Sequence, residues 1–358
     1  FESHVAVGAC DGVLPRGDRS LSMDAIVAIV QAKDTPLSSL DISGNRLEES
    51  EMLIIGNAML GNHKSQITAV TADQFSLKVD DTALDVSRMR IRPEGFVLLA
   101  GAIRANTTLT ALNASSNYMV QWAGHQRNKI VPVQLCGVAA MAQAISDKMR
   151  TQGLCALQHL NLSTNALGAE GAVALSPILL NYELKSLSLR DNKLGDVGVE
   201  ALVDGLKQSH LTALDLSKNG IRVEGVRVLA GAMRRMRALR ELDLSSNHVV
   251  GNGPIDALSL EGLQALAKAV GVSGLKALDL SATQLCGVWD DAETGKHGEV
   301  KGRFEIGGVH AVAEALAACA SLTALTLLHN KIHISPDAAK AIEAANKRRG
   351  TPAAVSYR

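Results

Sequence analysis

Aromatic residues are scarce in this chain: two Trp, three Tyr and four Phe make up 3% of 358 residues. The hydrophobic fraction is nevertheless 47%, so the core must be built from Leu, Val, Ile and Ala. Thin, closely packed layers suit branched aliphatic side chains and leave no room for large rings. The composition therefore favours a core of stacked thin layers.

Long apolar runs and an excess of one charge are also missing. No stretch reaches the roughly 18 apolar residues that a membrane-spanning helix requires. Thirty-six acidic and thirty-six basic residues cancel, so no overall field draws the chain to nucleic acid or to a membrane surface. We expect a protein partner that is recognised locally.

Cysteine is rare, and its five positions show no pairing pattern. They are odd in number and form neither CxxC pairs nor metal-ligand spacing; they are Cys10, Cys136, Cys155, Cys286 and Cys319. This usage favours a reducing compartment, the cytoplasm or an organelle interior. Because the chain begins at Phe1, we expect a processed chain, a recombinant segment or part of a longer protein.

The sequence is rich in internal repeats. Between Leu184 and Val249 three units open with the skeleton LxxLxLxxN, and Asn192, Asn219 and Asn247 recur at intervals of 27 and 28 residues. Degenerate copies bring the total to nine, at positions equivalent to the asparagine: 45, 89, 117, 165, 192, 219, 247, 283 and 330. A period of this size indicates a solenoid, which grows by adding repeats to one domain.

Each repeat predicts a short strand, a turn and a helix. Leucines alternate with polar residues in LxL, as a strand with one buried face requires, and helical segments such as GVEALVDGL follow. Six segments open with a glycine that permits close backbone approach: Gly95, Gly171, Gly198, Gly225, Gly262 and Gly308. Pro93 and Pro336 suit a first helical turn, whereas Pro177 predicts a kink.

The recurrent asparagine has a structural role. Its amide can donate to and accept from backbone groups in the turn that leaves the strand, so stacked asparagines form a ladder. Met89 and Thr283 replace it in two repeats. We expect the ladder to be locally weak at both positions.

The pattern resembles the ribonuclease-inhibitor type of leucine-rich repeat over residues 36–348. The resemblance implies an α/β horseshoe solenoid of about nine repeats, with parallel strands on the concave face and helices on the convex face. Residues 1–35 are expected to be a capping half-repeat, with a helix in SMDAIVAIVQAK, and residues 349–358 a C-terminal tail. The family includes inhibitors, activators, sensors and scaffolds, so the resemblance does not specify function.

Four insertions interrupt the period. They lie near 65–80, 118–134, 249–258 and 286–306 and exceed the repeat by about 8 to 20 residues. The first contains alternating apolar residues, Phe75, Leu77 and Val79, and predicts an extra strand or a degenerate tenth repeat. The other three follow the asparagine position directly, so we expect them to project from one edge of the solenoid.

These edge insertions contain the candidate partner-binding residues. Trp, Tyr and Arg contribute most of the binding energy in protein interfaces. The insertions contain all three types, together with a lysine and a phenylalanine: Tyr118, Trp122, Arg127, Lys129, Trp289, Arg303 and Phe304. Each tryptophan could instead fold back over its own loop. Both interpretations remain open from the sequence.

The concave face is predicted to be acidic. One side chain between the two inward leucines of each strand faces the hollow, and five of these nine residues are aspartates, including Asp215, Asp243 and Asp279. A groove that binds a basic segment would have this composition. LDLSxN is also close to the consensus sequence of leucine-rich repeats in general, so the aspartates could have a purely structural role.

No catalytic constellation, metal-ligand spacing or phosphate-binding loop stands out, and we expect no cofactor. The main hypothesis is a non-catalytic interaction module or scaffold that binds a partner protein or a large assembly through the edge loops and the concave face. Resemblance leaves two alternatives open: a GTPase regulator similar to the Ran GTPase-activating protein, and the sensor array of a longer NOD-like receptor.

Overall fold

A computed structural model describes residues 3–6, 23–32, 37–122, 132–152, 156–180, 183–250, 259–286, 289–294, 300–302 and 306–357. The chain divides into two compact units, Phe1–Leu184 and Lys185–Arg358. Strand, turn and helix succeed one another along both units.

The first sheet of unit 1 contains three parallel strands and one antiparallel strand. Its elements follow the chain as β1 (Ser3–Ala6), α1 (Met23–Gln31), β2 (Leu37–Asp41), α2 (Glu49–Gly61), β3 (Ala69–Ala72) and β4 (Phe75–Leu77). Strand β3 pairs parallel with β2, and β4 then turns back antiparallel to β3. The insertion near 65–80 therefore contains both a further repeat-like strand and a hairpin.

The second sheet of unit 1 contains three parallel strands in the order β5, β6, β9. Its elements are β5 (Ala83–Asp85), α3 (Pro93–Ala105), β6 (Ala111–Asn113), β7 (Gln121–Trp122), β8 (Pro132–Gln134), α4 (Cys136–Gln152), β9 (His159–Asn161) and α5 (Gly168–Leu175). Strands β7 and β8 form an antiparallel hairpin within insertion 118–134. As Pro177 predicts, α5 gives way at Ser176–Leu180 to a 3-10 helix.

Unit 2 has the most regular architecture. Its elements are β10 (Ser186–Ser188), α6 (Gly195–Gln208), β11 (Ala213–Asp215), α7 (Val223–Met233), β12 (Glu241–Asp243), α8 (Glu261–Gly271), β13 (Ala277–Asp279), β14 (Trp289–Thr294), β15 (Val300–Gly302), α9 (Gly307–Ala318), β16 (Ala324–Thr326), α10 (Pro336–Lys347) and β17 (Ala354–Ser356). Strands β10, β11, β12, β13, β16 and β17 form one parallel sheet in that order. Strands β14 and β15 form a hairpin in insertion 286–306.

The core lies between strands and helices and is largely aliphatic, as the composition predicts. The expectation that it has no room for large rings is wrong in unit 1, where Phe75 and Phe96 are buried. The central leucines of successive strands in unit 2 stack in register. All are at most 4% exposed: Leu187, Leu214, Leu242, Leu278 and Leu325. Burying each stabilises the fold by about 1.5–3 kcal/mol relative to exposure.

Two of the helix-opening glycines are required by close packing. A Cβ atom at Gly262 would lie 2.4 Å from the carbonyl oxygen of Val223, at the start of α7. One at Gly308 would lie 2.6 Å from the carbonyl oxygen of Leu285. Any side chain at either position would push the helix away from its neighbour, which confirms the predicted close approach there.

The asparagine ladder is present in both units. In unit 2, the Asn219 amide donates to the carbonyl oxygens of Leu189 and Leu216, each at 2.9 Å, and its Oδ1 accepts from the N–H of Asn192 at 3.0 Å. In unit 1, Asn117 donates to Val86 and Ala114. Asn219 and Asn117 therefore each hold their own turn and that of the preceding repeat.

The ladder holds an unusual backbone. Residues on either side of the asparagine position commonly have positive φ, as at Asp191 (55°) and Lys193 (57°) around Asn192. This left-handed conformation costs roughly 1–2 kcal/mol for a residue with a Cβ. The buried amide bonds offset that cost.

The two ladder positions without asparagine differ from each other. Thr283 is fully buried, and its hydroxyl donates to the carbonyl oxygen of Leu280 at 2.6 Å. A hydroxyl has a single donor, so Thr283 cannot also donate to a carbonyl of the preceding turn, as the asparagine amide does. Met89 is 54% exposed, and the turn around it is held by Asn117, whose Oδ1 accepts from the N–H of Ile91 at 3.0 Å.

The segment that the sequence sets apart as a tail, 349–358, continues the repeat. Strand β17 pairs parallel with β16, and Asn346 exchanges two hydrogen bonds with the backbone of Ala353, at 2.9 and 2.8 Å. The Arg349 guanidinium donates to the carbonyl oxygens of Leu316 and Cys319 at the end of α9. These bonds satisfy carbonyls that a helix end leaves without partners.

Candidate binding surfaces

Four carboxylates lie together on the solvent-facing side of the unit 2 sheet. Asp215, Asp243 and Asp279 occupy the same register position on adjacent strands β11, β12 and β13. Neighbouring strands are about 4.8 Å apart. Glu241 lies two residues before Asp243 and faces the same side. We call Asp215, Glu241, Asp243 and Asp279 the carboxylate row.

One oxygen of each aspartate serves its own turn. Oδ1 accepts from the backbone N–H two residues later: from Ser217 at 2.9 Å for Asp215, and from Ser245 and Ser281, both at 2.8 Å, for Asp243 and Asp279. This Asx-turn bond explains why serine recurs at that position. It also gives the aspartates the structural role that the sequence left open.

The second oxygen is described by a contact for Asp215 alone. Asp215 Oδ2 accepts from the Ser188 hydroxyl at 2.7 Å. Within the described part of the chain, no Lys or Arg forms an ion pair with the carboxylate row. Arg190 comes nearest, because it donates to the Ser217 hydroxyl at 2.9 Å, and that hydroxyl donates to Asp215 Oδ1 at 2.6 Å. The sheet therefore presents several negative charges that no described basic side chain contacts directly.

The central member of the row titrates abnormally. Partial burial raises the pKa of Asp243, and the charges of Asp215 and Asp279 raise it further, against the opposing effect of the Ser245 hydrogen bonds. Asp85 occupies the same repeat position in unit 1, but hydrogen bonds from Ser87 lower its pKa and Asn113, not a carboxylate, lies beside it. The difference arises first from the deeper burial of Asp243 and then from the neighbouring carboxylates, whose repulsion a bound cation would relieve.

The predicted edge residues are only partly described. Tyr118 is 57% exposed, and its backbone N–H donates to Ile91 at 2.9 Å. For Trp122 and Trp289 the structure describes the backbone: Trp122 pairs with Pro132 in one hairpin, and Trp289 pairs with Gly302 in the other. Arg127, Lys129, Arg303 and Phe304 lie outside the described residues.

Glu241 belongs to the carboxylate row but is not among the residues predicted from the sequence. The signal was available, because strand alternation places a residue two positions before the aspartate on the same face. The other strands of unit 2 have Ser186, Ala213, Ala277, Ala324 or Ala354 at that position. Glu241 could therefore have been found only by comparing this position across the repeats, where the other strands have alanine or serine.

Among the described residues, no group of three or more His, Cys, Asp or Glu side chains could hold a metal ion. No helix among the described residues is sufficiently long and apolar to cross a membrane. Cys136, Cys286 and Cys319 are free thiols, and burial raises the pKa of Cys286 to about 12.

Two family models, both described as leucine-rich repeats, match residues 154–176 and 183–249. A search of curated proteins gave no match. Similar solved structures include LegL7 from Legionella pneumophila, with 14% identity, coverage of 100% of this chain and 89% of that chain, and a TM-score of 0.43.

Two further similar structures have different origins. One is the yeast complex of Rad7 and Elc1, with 12% identity, coverage of 93% and 72%, and a TM-score of 0.43. The other is internalin C2 from Listeria monocytogenes, with 16% identity, coverage of 78% and 83%, and a TM-score of 0.38. Likeness at this level says nothing about activity. The matched segments, together with the strand, turn and helix units and their asparagine ladder, show that this chain has a leucine-rich-repeat fold.

Proposed function

We propose that this chain is a non-catalytic protein-interaction module of the ribonuclease-inhibitor type. The carboxylate row of unit 2 is the observation that supports the proposal most. Solenoid repeats commonly present an extended strand face as a binding surface, and here that face has a row of carboxylates without described counter-ions.

The partner is expected to provide a Lys- or Arg-rich segment. Each cation placed over the row would form charge-assisted bonds and would lower the repulsion that adds to burial in raising the pKa of Asp243. The Asx-turn bonds fix one oxygen of each aspartate, so the acceptors are held in position before the partner arrives. Fixed acceptors reduce the entropy lost on binding.

The edge residues are proposed as a second contact region. Tyr118 is exposed, and the hairpins that contain Trp122 and Trp289 leave the repeats directly after the ladder position. Arg127, Lys129, Arg303 and Phe304 belong to the same proposal on sequence grounds. The proposal also places the protein in a reducing compartment, which agrees with the free thiols of Cys136, Cys286 and Cys319.

The test is affinity capture of the native partner by the full chain, with variants in parallel. Trp122→Ala/Trp289→Ala should weaken capture by about 2 kcal/mol or more if either residue is a main contact. Asp215→Asn/Asp243→Asn/Asp279→Asn should weaken it independently. Undiminished capture by both variants would refute the proposed surfaces, and stimulated GTP hydrolysis by a small GTPase would contradict a non-catalytic role.

A further inference from the structure

The turn that follows β5 in unit 1 exposes a large apolar side chain where seven of the other eight repeats bury a polar one, the exception being the half-buried Asn45. Met89 occupies the ladder position and is 54% exposed. At the equivalent position, six asparagines and Thr283 are at most 5% exposed: Asn117, Asn165, Asn192, Asn219, Asn247 and Asn330.

The fold explains why asparagine is dispensable at Met89. Strand β5 is the first strand of its sheet in unit 1, preceded along the chain by the β3–β4 hairpin, so residue 89 has no earlier ladder turn to hold. Its own turn is held from the other side by Asn117, which donates to Val86 at 2.9 Å and accepts from Ile91 at 3.0 Å. A small polar residue would satisfy these constraints and avoid exposing a thioether.

A second exposed side chain stands beside this turn. The N–H of Arg88 donates to Ser115 at 3.0 Å, and the N–H of Tyr118 donates to Ile91 at 2.9 Å. These bonds place the turns of two neighbouring repeats side by side, with Tyr118 bonded to the residue that follows Arg90. Tyr118 is 57% exposed.

The flanking cations are available for a partner. Arg88 and Arg90 are exposed and form no ion pair in the described part of the chain, whereas the neighbouring Arg92 pairs with Glu49. Both have positive φ, 59° and 56°, a conformation that glycine or asparagine would adopt with less strain. The fold therefore has no evident need for arginine at either position.

We infer that Arg88, Met89, Arg90 and Tyr118, here called the Met89 surface, dock an acidic segment of a partner protein that carries one large apolar side chain. Methionine, tyrosine and arginine are enriched in protein interfaces, and two unpaired guanidinium groups beside two apolar side chains complement that chemistry. The inference rests on the proposed function, namely that the chain binds proteins.

Other classes of partner fit this surface less well. A nucleic acid needs a row of cations along its phosphates. The Met89 surface offers only two unpaired arginines, and the Asp85 carboxylate on the strand that enters the turn would repel phosphate. A membrane surface requires a broad apolar face with many cations. These classes become outcomes of the test.

The probe is a set of short synthetic peptides, each with one Leu, Phe or Trp among Asp and Glu. The full chain is labelled with carbon-13 at its methionine methyl groups. Because Met89 is exposed, whereas six other methionines are at most 9% exposed (Met52, Met59, Met119, Met141, Met233 and Met236), its resonance can report local binding. At least one acidic peptide should shift it saturably, and basic peptides should not.

Variants localise the effect. Arg88→Glu/Arg90→Glu should weaken acidic-peptide binding at least about tenfold, as should Met89→Asn, with Tyr118→Ser as the alternative if Met89→Asn does not fold. The control is Arg234→Glu/Arg235→Glu on unit 2, which changes the net charge equally and should leave binding intact.

Three results would overturn the inference: no acidic peptide binds, the charge-reversed variant binds equally well, or a single-stranded oligonucleotide or phosphatidylserine vesicle shifts the Met89 resonance instead. The proposed function is tested separately with basic peptides, which should bind the carboxylate row of unit 2. If they do not bind, the proposed function is contradicted, whatever the acidic peptides do.

Discussion

The side-chain carbonyl oxygen of Asn247 accepts a hydrogen bond from the backbone N–H of Asn219, 28 residues earlier, at 3.0 Å. The same oxygen accepts from Ile221 at 3.0 Å, while the amide donates to Leu216 and Leu244 at 3.0 and 2.9 Å. One buried side chain therefore connects two repeats. The regular 27- and 28-residue spacing keeps these groups aligned.

Replacing Asn247 with alanine should strongly destabilise unit 2. The change leaves two N–H groups and two carbonyls without these bonds in a buried turn, and we expect a loss of about 3 kcal/mol in the free energy of unfolding. Urea denaturation measures it, with Ser246→Ala at the exposed neighbouring position as the control. A loss no larger than the control's would exclude the ladder as a main source of stability.

Restoring asparagine at Thr283 should have the opposite effect. Thr283→Asn adds a second donor and an acceptor directed at the preceding turn, so we expect a gain of about 1 kcal/mol. Thr283→Val removes the existing bond to Leu280 and should lose a similar amount. If the asparagine variant is less stable than the natural chain by thermal denaturation, the ladder does not extend through this repeat.

A core leucine tests the register of the strands. Leu214 is 2% exposed, and Leu214→Ala should cost about 2–5 kcal/mol because it removes buried methyl groups and leaves a cavity. Val197→Ala is the matched control, since Val197 is 66% exposed and its truncation should change stability by less than about 0.5 kcal/mol. Equal denaturation midpoints for the two variants would refute the assigned register.

The raised pKa of Asp243 predicts a pH-dependent stability. A carboxyl group with a raised folded-state pKa favours the fold at low pH, and its contribution is lost as the pH rises from its ordinary value of 3.8 through the folded value. Asp243→Asn should therefore stabilise the protein at neutral pH, and the gain should shrink as the pH falls towards 3.8. The unfolding midpoint across this range measures it, with Glu200→Gln as the exposed control. A gain that does not depend on pH would contradict the assignment.

The leucine and asparagine positions made most of the fold predictable, because each repeats one buried slot with one geometry. The segment 349–358 was not predictable in the same way. Its strand, Ala354–Ser356, has a single valine in place of the leucine pattern of the other repeats. Arg349 donates to backbone carbonyls, and no sequence pattern predicts such bonds. The charge of the groove was predictable from the aspartates, but the shifted pKa of Asp243 depends on which strands are neighbours.

The exposure of Met89 also required the structure. From the sequence, methionine at a ladder position indicates only a weaker turn. The role of Asn117 in holding that turn from the next repeat frees residue 89 to face solvent.

The most direct measurement of the central claim is a titration of the full chain with a fluorescent Lys- and Arg-rich peptide. Asp215→Asn/Asp243→Asn/Asp279→Asn should weaken binding at least about tenfold, and added salt should weaken binding to the natural chain. Glu200→Gln/Glu261→Gln/Glu314→Gln changes the net charge by the same amount on exposed helix positions and should retain affinity. Equal affinity for the two triple variants would contradict the carboxylate row as the binding surface.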